Sequence, residues 1–220
     1  MTELNGSVRS APNGARGCDV NFPVSGSFAR ELINAGHSFC IRYIPRAQGS
    51  NSGGNLSNIE AVTILNAGLA LMVVQHVANE GWSTNAALGT AYGSYAASYC
   101  KDVVGLPPGV NVWLDLEGIN PSAAKADVIA YCQTWFNEVK AAGYVPAIYI
   151  GWQVIINNQD AYYNLPFAHY WKAYNADVTP AVRGYQMIQG TQVSINGVEV
   201  DPNTVHTDNK GGTPLWLSLP

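Results

Sequence analysis

The sequence feature that most constrains the fold is a repeated unit in which a helical pattern ends at a glycine and an apolar run follows at once. It occurs at Gly36, Gly68 and Gly143, and in a looser form at Gly105, where two prolines intervene. The four glycines are 32, 37 and 38 residues apart. Glycine is preferred just past a helix end because it adopts the left-handed conformation without a Cβ clash. Since this spacing is typical of successive βα units, the repeat predicts buried strands joined by helices.

Helix starts are also marked in the sequence. Ser57 and Glu60 are three residues apart and predict a capping box ahead of a helix that ends at Gly68. Asn120 followed by Pro121 predicts the start of a further helix, since proline suits the first helical position. A long helix rich in Ala and Tyr is predicted over residues 84–104.

The pattern changes after residue 152, where strand-like segments follow one another with little helix between them. Asn196-Gly197 lies between two short alternating segments and predicts a β-hairpin. Counting from residues 17–20, there are eight strand candidates. The fold class predicted is α/β: a compact TIM-like (β/α) barrel over residues 17–220 with helices reduced in the second half, after an N-terminal extension at 1–16. An open doubly wound sheet is the alternative.

Composition excludes several classes of protein. Hydrophobic residues make up 47% and charged residues 12% of the 220 residues, which is the opposite of a disordered chain. Lys and Arg number 11 against 15 acids, so we expect no nucleic-acid partner. No apolar run reaches the roughly 18 residues of a membrane span. Polarity carried by Asn, Ser, Thr, Gln and Tyr favours a secreted or cell-wall protein, although residues 1–16 do not resemble a signal peptide.

The cysteines predict neither a zinc site nor a particular disulfide. Cys18, Cys40, Cys100 and Cys132 form no close CxxC pair. Three disulfide pairings remain open in an oxidising compartment. Buried single thiols packed as small apolar groups are the favoured interpretation.

The most informative segment for chemistry is residues 111–118, a predicted strand that carries Asp115 and Glu117. Side chains at i and i+2 of a strand point the same way, with Cα atoms roughly 6.6 Å apart. Two carboxylates on one face of an apolar strand are tolerable only at a solvated cleft, which in a barrel is the carboxyl end of the strands. Neighbouring carboxylates separate each other's pKa values, as glycosidic bond cleavage requires. A metal site or a helix-capping pair is the alternative for such a pair.

Two more acids are predicted to lie at the same end. Asp19 lies at the end of the first predicted strand, and Asp201 ends the last. The first and last strands of a closed barrel are neighbours, so these aspartates are expected beside Asp115 and Glu117. Taken singly, each could be a turn residue, as Asp201-Pro202 suggests.

Aromatic and amide side chains near the strand ends are candidates for substrate binding, since aromatic faces stack on sugar rings and amides bind hydroxyl groups. The candidates are Tyr149, Trp171 and Gln186, and Gln189 is a further amide on the same predicted strand as Gln186. Arg42 and Gln75 join them as polar residues inside apolar strands, with His76 beside Gln75. A polar group in such a strand is either solvated at a site or paired in the core, and aromatics equally serve core packing.

Seven segments together resemble the glycoside hydrolase-like domain family formerly described as a domain of unknown function. More distantly, they are similar to the glycoside hydrolase family 25 lysozymes, which cleave peptidoglycan. The segments are residues 17–25, 41–46, 71–77 with 81–82, 106–118, 143–151, 169–175 and 200–203. The resemblance spans residues 17–217 and implies a barrel with few helices in its second half.

The resemblance implies roles for the acids of the site. Glu117 would be the general acid. Asp115 would be the ionised partner that stabilises an oxocarbenium-like transition state, activates water or orients a substrate acetamido group. Asp19 and Asp201 match the remaining acids of the lysozyme site, whereas the residues around Arg42 and Gln75 depart from the lysozyme pattern.

The sequence thus leads to three hypotheses. The first is a glycosidase that cleaves a cell-wall or related polysaccharide, with peptidoglycan as the leading substrate and a muramidase-like carboxylate mechanism. The second is a non-catalytic glycan-binding module on the same barrel. The third is a metal-dependent enzyme that uses the four acids as oxygen ligands. We expect a glycan as the partner, no cofactor or metal, and a monomer.

Overall fold

The computed structural model describes residues 2–50 and 54–220. The strands are β1 (Ser7–Ser10), β2 (Arg16–Val20), β3 (Phe39–Ile44), β4 (Ala70–Gln75), β5 (Asn111–Leu116), β6 (Val145–Ile150), β7 (Tyr170–Ala173), β8 (Met187–Gln189), β9 (Val193–Ile195), β10 (Val198–Val205) and β11 (Leu215–Ser218). The α-helices are α1 (Gly26–Asn34), α2 (Asn58–Ala67), α3 (Ala86–Tyr99) and α4 (Lys125–Ala141). Short π-helical turns occupy Cys100–Val104 and Asp160–Asn164.

Eight of these strands close into a barrel. Strands β2 to β8 are parallel neighbours in chain order, and β10 closes the ring by pairing with both β8 and β2. The α-helices all precede β6, so the prediction of a barrel with helices reduced in its second half is confirmed. The closing strand β10 is antiparallel to its neighbours because the chain enters it through a hairpin. That hairpin turns at Asn196 and Gly197, whose φ angles of 50° and 83° suit the predicted two-residue turn.

The glycine-terminated helices form as predicted. Gly36, Gly68, Gly105 and Gly143 have φ angles of 87°, 101°, 76° and 91°, in the left-handed region where a Cβ is disfavoured. Each helical segment therefore ends where the repeat predicts, and the chain then enters the next strand.

The two predicted helix starts fare differently. Ser57 caps α2 by accepting a hydrogen bond from the Glu60 backbone N–H at 3.2 Å. The Glu60 carboxylate, however, binds elsewhere, so only half of the capping box forms. The start predicted at Asn120 is wrong, because α4 begins at Lys125. The Asn120 side chain instead accepts from the Ser122 N–H and closes a turn before the helix.

Alternate residues of each barrel strand point into the barrel or out towards the helices. The buried hydrophobic residues inside the barrel include Phe39, Ile41, Ala70, Met72, Val74, Trp113, Ala147, Tyr149, Trp171, Ala173, Met187 and Val205. Trp216 of β11 packs against Phe39 with ring centroids 5.5 Å apart and covers the amino-terminal end of the strands. Strand β1 pairs with β11, so the predicted N-terminal extension adds a strand to this covered end.

The outward-facing residues belong to a larger core under the helices. All four cysteines lie buried and unbridged: Cys18, Cys40, Cys100 and Cys132. This agrees with the interpretation of the cysteines as small apolar groups. Within residues 2–50 and 54–220, no helix combines the length and the apolar character needed to cross a membrane.

Candidate active site

The site is built around the carboxyl end of β5. Trp113 and Asp115 point into the barrel, and Glu117 follows one residue beyond the strand on the same face. The backbone around Glu117 is held on both sides. The indole N–H of Trp82 donates to the Glu117 carbonyl at 2.9 Å, and the Gly118 N–H donates to the Trp152 carbonyl at 2.9 Å. The position of Glu117 is therefore fixed by loops from two neighbouring strands.

Asp115 is the more deeply buried of the two acids, with 5% of its surface exposed. Its Oδ1 has no hydrogen-bond partner among the described residues. Burial raises the pKa of Asp115 well above its ordinary value, and the negative charges of Glu117 and Asp19 raise it further. A carboxyl group in this environment favours its neutral form.

Glu117 is half-buried at the mouth of the barrel. Burial is the main cause that raises the pKa of Glu117, and the negative charge of Asp201 raises it further. The hydrogen bond from the Trp152 backbone N–H lowers it. Gly151, directly after β6, leaves the space that the carboxylate fills. A Cβ at Gly151 would lie 2.1 Å from Oε2 of Glu117, so any other residue would displace the carboxylate.

Asp19 and Asp201 are brought together by the closure of the barrel. They are directly paired in the antiparallel register of β2 and β10, so Asp201 lies within its strand and not at the strand's end. Asp201 is partly exposed, and burial together with the charge of Glu199 raises its pKa. A cavity of about 100 Å³ opens above this pair and is also lined by Tyr43.

Asp19 is nearly inaccessible, with 1% of its surface exposed, yet it accepts three side-chain hydrogen bonds. Tyr43 donates to Oδ1 at 3.2 Å, whereas Gln189 and Asn203 donate to Oδ2 at 2.9 and 2.7 Å. Burial raises the pKa of Asp19 to about 7, against the lowering effect of these donors. The donors keep the ionised form accessible near neutral pH.

Three predicted binding residues do not reach this cleft. Arg42, Gln75 and Gln186 point outwards from the barrel into the layer under the helices and loops, where each is buried. The Arg42 Nε donates to Oε1 of Glu60 on α2 at 2.6 Å, and its other nitrogens donate to the carbonyls of Val20 and Gly54. Arg42 therefore ties the barrel to α2, and its complete burial keeps it away from a substrate in the cleft.

Gln75 and Gln186 are satisfied in the same way. Gln75 donates to the Tyr92 carbonyl at 2.8 Å and accepts from the Trp135 indole N–H at 2.7 Å. Gln186 accepts from the Tyr170 N–H at 2.6 Å and donates to Asp208. Both amides fasten strands to the surrounding layer.

The two predicted aromatics lie inside the barrel, one above the other. Tyr149 is opposite Asp115 in the β5–β6 register, and its hydroxyl donates to Gln189 at 2.7 Å. Trp171 packs against Tyr149 with ring centroids 4.4 Å apart and is 1% exposed. Trp171 therefore supports the floor of the cleft, while Tyr149 belongs to the cleft itself.

Of the three donors to Asp19, Gln189 was noted in the sequence as an amide near Gln186, whereas Tyr43 and Asn203 were not selected. Asn203 follows Asp201 by two residues, so strand periodicity could have found it. Gln189 is three residues after Gln186 and therefore on the opposite face of the strand. Tyr43 is next to Arg42 in a strand that is buried on both sides, and nothing local shows which of the two points inwards.

No group of three or more His, Cys, Asp or Glu side chains is placed to hold a metal ion in the part of the chain that the structure describes. The four acids at the barrel mouth lie on or directly after three different strands, β2, β5 and β10, and do not form a compact ligand set.

Comparison with known proteins identifies the family. The model of the Rv2525c-like, glycoside hydrolase-like domain matches residues 30–205, which include Asp115, Glu117 and Asp201. The chain belongs to this family. Asp19 lies just before the matched region. A comparison with curated proteins gives no match.

Solved structures share the fold at low identity. The Tat-secreted protein Rv2525c of Mycobacterium tuberculosis, in complex with HEPES, is 16% identical with a TM-score of 0.65, over 90% of this chain and 98% of that one. A muramidase from Trichobolus zukalii is 14% identical with a TM-score of 0.63, over 87% and 93%. A family 25 glycosyl hydrolase from Bacillus anthracis is 15% identical with a TM-score of 0.60, over 90% and 91%. At these identities the likeness concerns the fold.

Proposed function

We propose that this protein is a glycoside hydrolase that cleaves a cell-wall polysaccharide, with peptidoglycan as the leading substrate. The observation that carries the proposal is the environment of Glu117. It lies at the carboxyl end of a barrel strand, half-buried, with its pKa raised by burial and by Asp201. A carboxyl group that keeps its proton towards neutral pH at a solvated cleft suits the general acid of glycosidic cleavage.

The other three acids have separate roles in the proposed reaction. Burial favours a neutral Asp115, which can donate a hydrogen bond and orient an acetamido or hydroxyl oxygen of the substrate. Asp19 and Asp201 supply the negative charge that stabilises an oxocarbenium-like transition state or activates water. In this assignment Glu117 protonates the leaving oxygen, and Asp115 differs from the ionised role expected from the resemblance.

The test is the release of new reducing ends from purified peptidoglycan by the wild type and by Glu117→Gln. General-acid catalysis contributes roughly 10²- to 10⁴-fold, so the variant should lose activity on that scale. Glu3→Gln, at an exposed glutamate far from the cleft, is the matched control and should retain activity. Full activity in Glu117→Gln would refute the assignment of the general acid.

A glycan-binding module is the second candidate, and one observation favours it. A groove of about 280 Å³ beside Gly151 is lined by Trp152 and Asn175, and Trp152 is 41% exposed. An exposed indole beside amides suits the stacking and hydrogen bonding of a sugar without cleavage. Binding to peptidoglycan with no release of reducing ends would favour this candidate.

We also propose that the protein is secreted or cell-wall associated and acts as a monomer. The Tat-secreted relative of the same fold supports export. Fractionation of the producing cells tests the location, and sedimentation of the purified protein tests the oligomeric state. A cytoplasmic dimer would contradict both expectations.

A further inference from the structure

The donors around Asp19 come from three different strands and are all neutral. Tyr43 is on β3, Gln189 on β8 and Asn203 on β10, and each directs an O–H or N–H at the Asp19 carboxyl group. Convergence of three donors on one buried oxygen pair is costly unless that pair accepts, because each donor would otherwise lose its partner. The arrangement therefore matches an ionised carboxylate better than a neutral carboxylic acid.

The orientation of the Gln189 amide is set from the other side. The Tyr149 hydroxyl donates to Oε1 of Gln189 at 2.7 Å, which leaves Nε2 directed at Asp19. If the amide were reversed, its oxygen would face the Asp19 carboxylate and repel it. Tyr149, Gln189 and Asp19 thus form a hydrogen-bonded chain across the barrel mouth from β6 through β8 to β2.

The Asn203 amide also directs an N–H at Asp19, although this leaves its oxygen unpaired among the described residues. Its Nδ2 donates to Asp19 and to the Asp201 carbonyl, while its buried Oδ1 has no hydrogen-bond partner among the described residues. An unpaired buried acceptor is unfavourable, so the donation to Asp19 must compensate for it.

Among the described residues, the ionisable groups that interact electrostatically with Asp19 include no cation. They are Cys18 on its own strand, Tyr43 on β3, Asp115 on β5, Tyr149 on β6 and Asp201 on β10. Of these, Asp115 and Asp201 can only oppose ionisation of Asp19 when they are charged. Neutral hydrogen bonds are therefore the means by which this site holds a negative charge at Asp19.

We propose that Gln189 is a positioning residue that holds the Asp19 carboxyl group in its ionised form, and that Tyr149 sets the orientation of the Gln189 amide. Asp115 is the neutral counterpart, because its Oδ1 has no hydrogen-bond partner among the described residues and only the Val77 backbone N–H opposes the rise of its pKa. The negative charge of the cleft then lies at Asp19, where β2 meets β10. The protonated acids are Asp115 and Glu117, at the carboxyl end of β5. Only the catalytic consequence rests on the proposed function.

The experiment follows the Asp19 carboxyl carbon by ¹³C NMR as a function of pH in the full chain. Gln189→Leu removes one donor, so the titration midpoint of Asp19 should rise by about one to two pH units. Tyr149→Phe keeps the ring but frees the amide, and the midpoint should rise by less. Gln159→Leu, at an exposed glutamine, is the control and should leave the midpoint unchanged.

An Asp19 midpoint that is the same in Gln189→Leu and wild type would overturn the inference. Tyr149→Phe provides a second reading if Gln189→Leu does not fold, and an unchanged midpoint there overturns the role of Tyr149. If the protein hydrolyses peptidoglycan, the rising limb of its pH profile should move to higher pH in Gln189→Leu. If it does not, the NMR result still stands, so failure of the proposed function and failure of this inference are distinguishable.

Discussion

The two faces of the barrel wall differ in how completely their buried polar groups are hydrogen-bonded. On the outer face, Arg42 and Gln75 have hydrogen-bond partners for the groups that burial removes from water. On the inner face at the mouth, Oδ1 of Asp115 has no hydrogen-bond partner among the described residues, and the charges of neighbouring acids raise the pKa values of Asp115, Glu117 and Asp19.

Hydrogen-bonded polar groups on the outer face stabilise the fold, whereas the unpaired polar group on the inner face lowers the stability of the fold. A satisfied buried polar group stabilises a particular packing, whereas an unsatisfied one lowers stability and persists where a site needs it. Substitutions on the two faces should therefore change stability in different directions.

The largest effect is expected on the outer face at Arg42. Arg42→Leu leaves the Glu60 carboxylate buried without its cation and should lower the free energy of unfolding by about 3–5 kcal/mol. Chemical denaturation measures the loss. The double variant Arg42→Leu/Glu60→Gln removes the unpaired charge and should recover part of it. A single variant as stable as wild type would show that the ion pair contributes little.

Asp19 predicts a pH dependence of stability on the inner face. Its pKa is about 7 in the folded protein against an ordinary 3.8, so the folded state binds the proton more tightly. The contribution of Asp19 to the free energy of unfolding should therefore be largest below pH 4 and fall as the pH rises to about 7, by on the order of 4 kcal/mol at most. Asp19→Asn should flatten this slope in denaturation curves measured at several pH values. A variant slope equal to that of wild type would assign the dependence to other groups.

A smaller loss is expected at Gln75. Gln75→Leu leaves the buried Trp135 indole N–H without an acceptor and should cost about 1–3 kcal/mol. Thermal or chemical unfolding measures it, with the exposed Gln159→Leu as a control that should change stability by less than about 0.5 kcal/mol. Equal stability of the two variants would count against the distinction between the faces.

The smallest effect should have the opposite sign. Asp115→Asn keeps the shape of the side chain but removes a buried ionisable group, so the free energy of unfolding at pH 8 should rise by about 1 kcal/mol. Activity on peptidoglycan should fall in the same variant if Asp115 orients the substrate. A clear loss of stability would mean that Asp115 stabilises the fold and would remove the contrast with Arg42.

Much of the fold follows from local signals that the sequence carries plainly. Gly36, Gly68, Gly105 and Gly143 end helical segments because the left-handed conformation is intrinsic to glycine. Asn196-Gly197 forms its hairpin for a similar local reason. Asn120-Pro121 misled because the same two residues suit a turn as well as a helix start, and only packing of α4 against the barrel selects between them.

The site was predictable only in part. Asp115 and Glu117 share a face by the two-residue period of a strand, which needs no tertiary information. Arg42 and Gln75 were assigned to the cleft because their strands are buried on both faces, so the sequence contains no alternation that marks the inward side.

The sequence by itself determined the order of the elements, the ends of the helices and the common face of Asp115 and Glu117, since each depends on residues close together in the chain. Tertiary structure alone decided which face of each strand points inwards, and it set the register of β10 on β2 that places Asp201 opposite Asp19. It also brought Tyr43, Gln189 and Asn203 to Asp19. These outcomes depend on barrel closure and on register between strands as many as 184 residues apart, which no local pattern encodes.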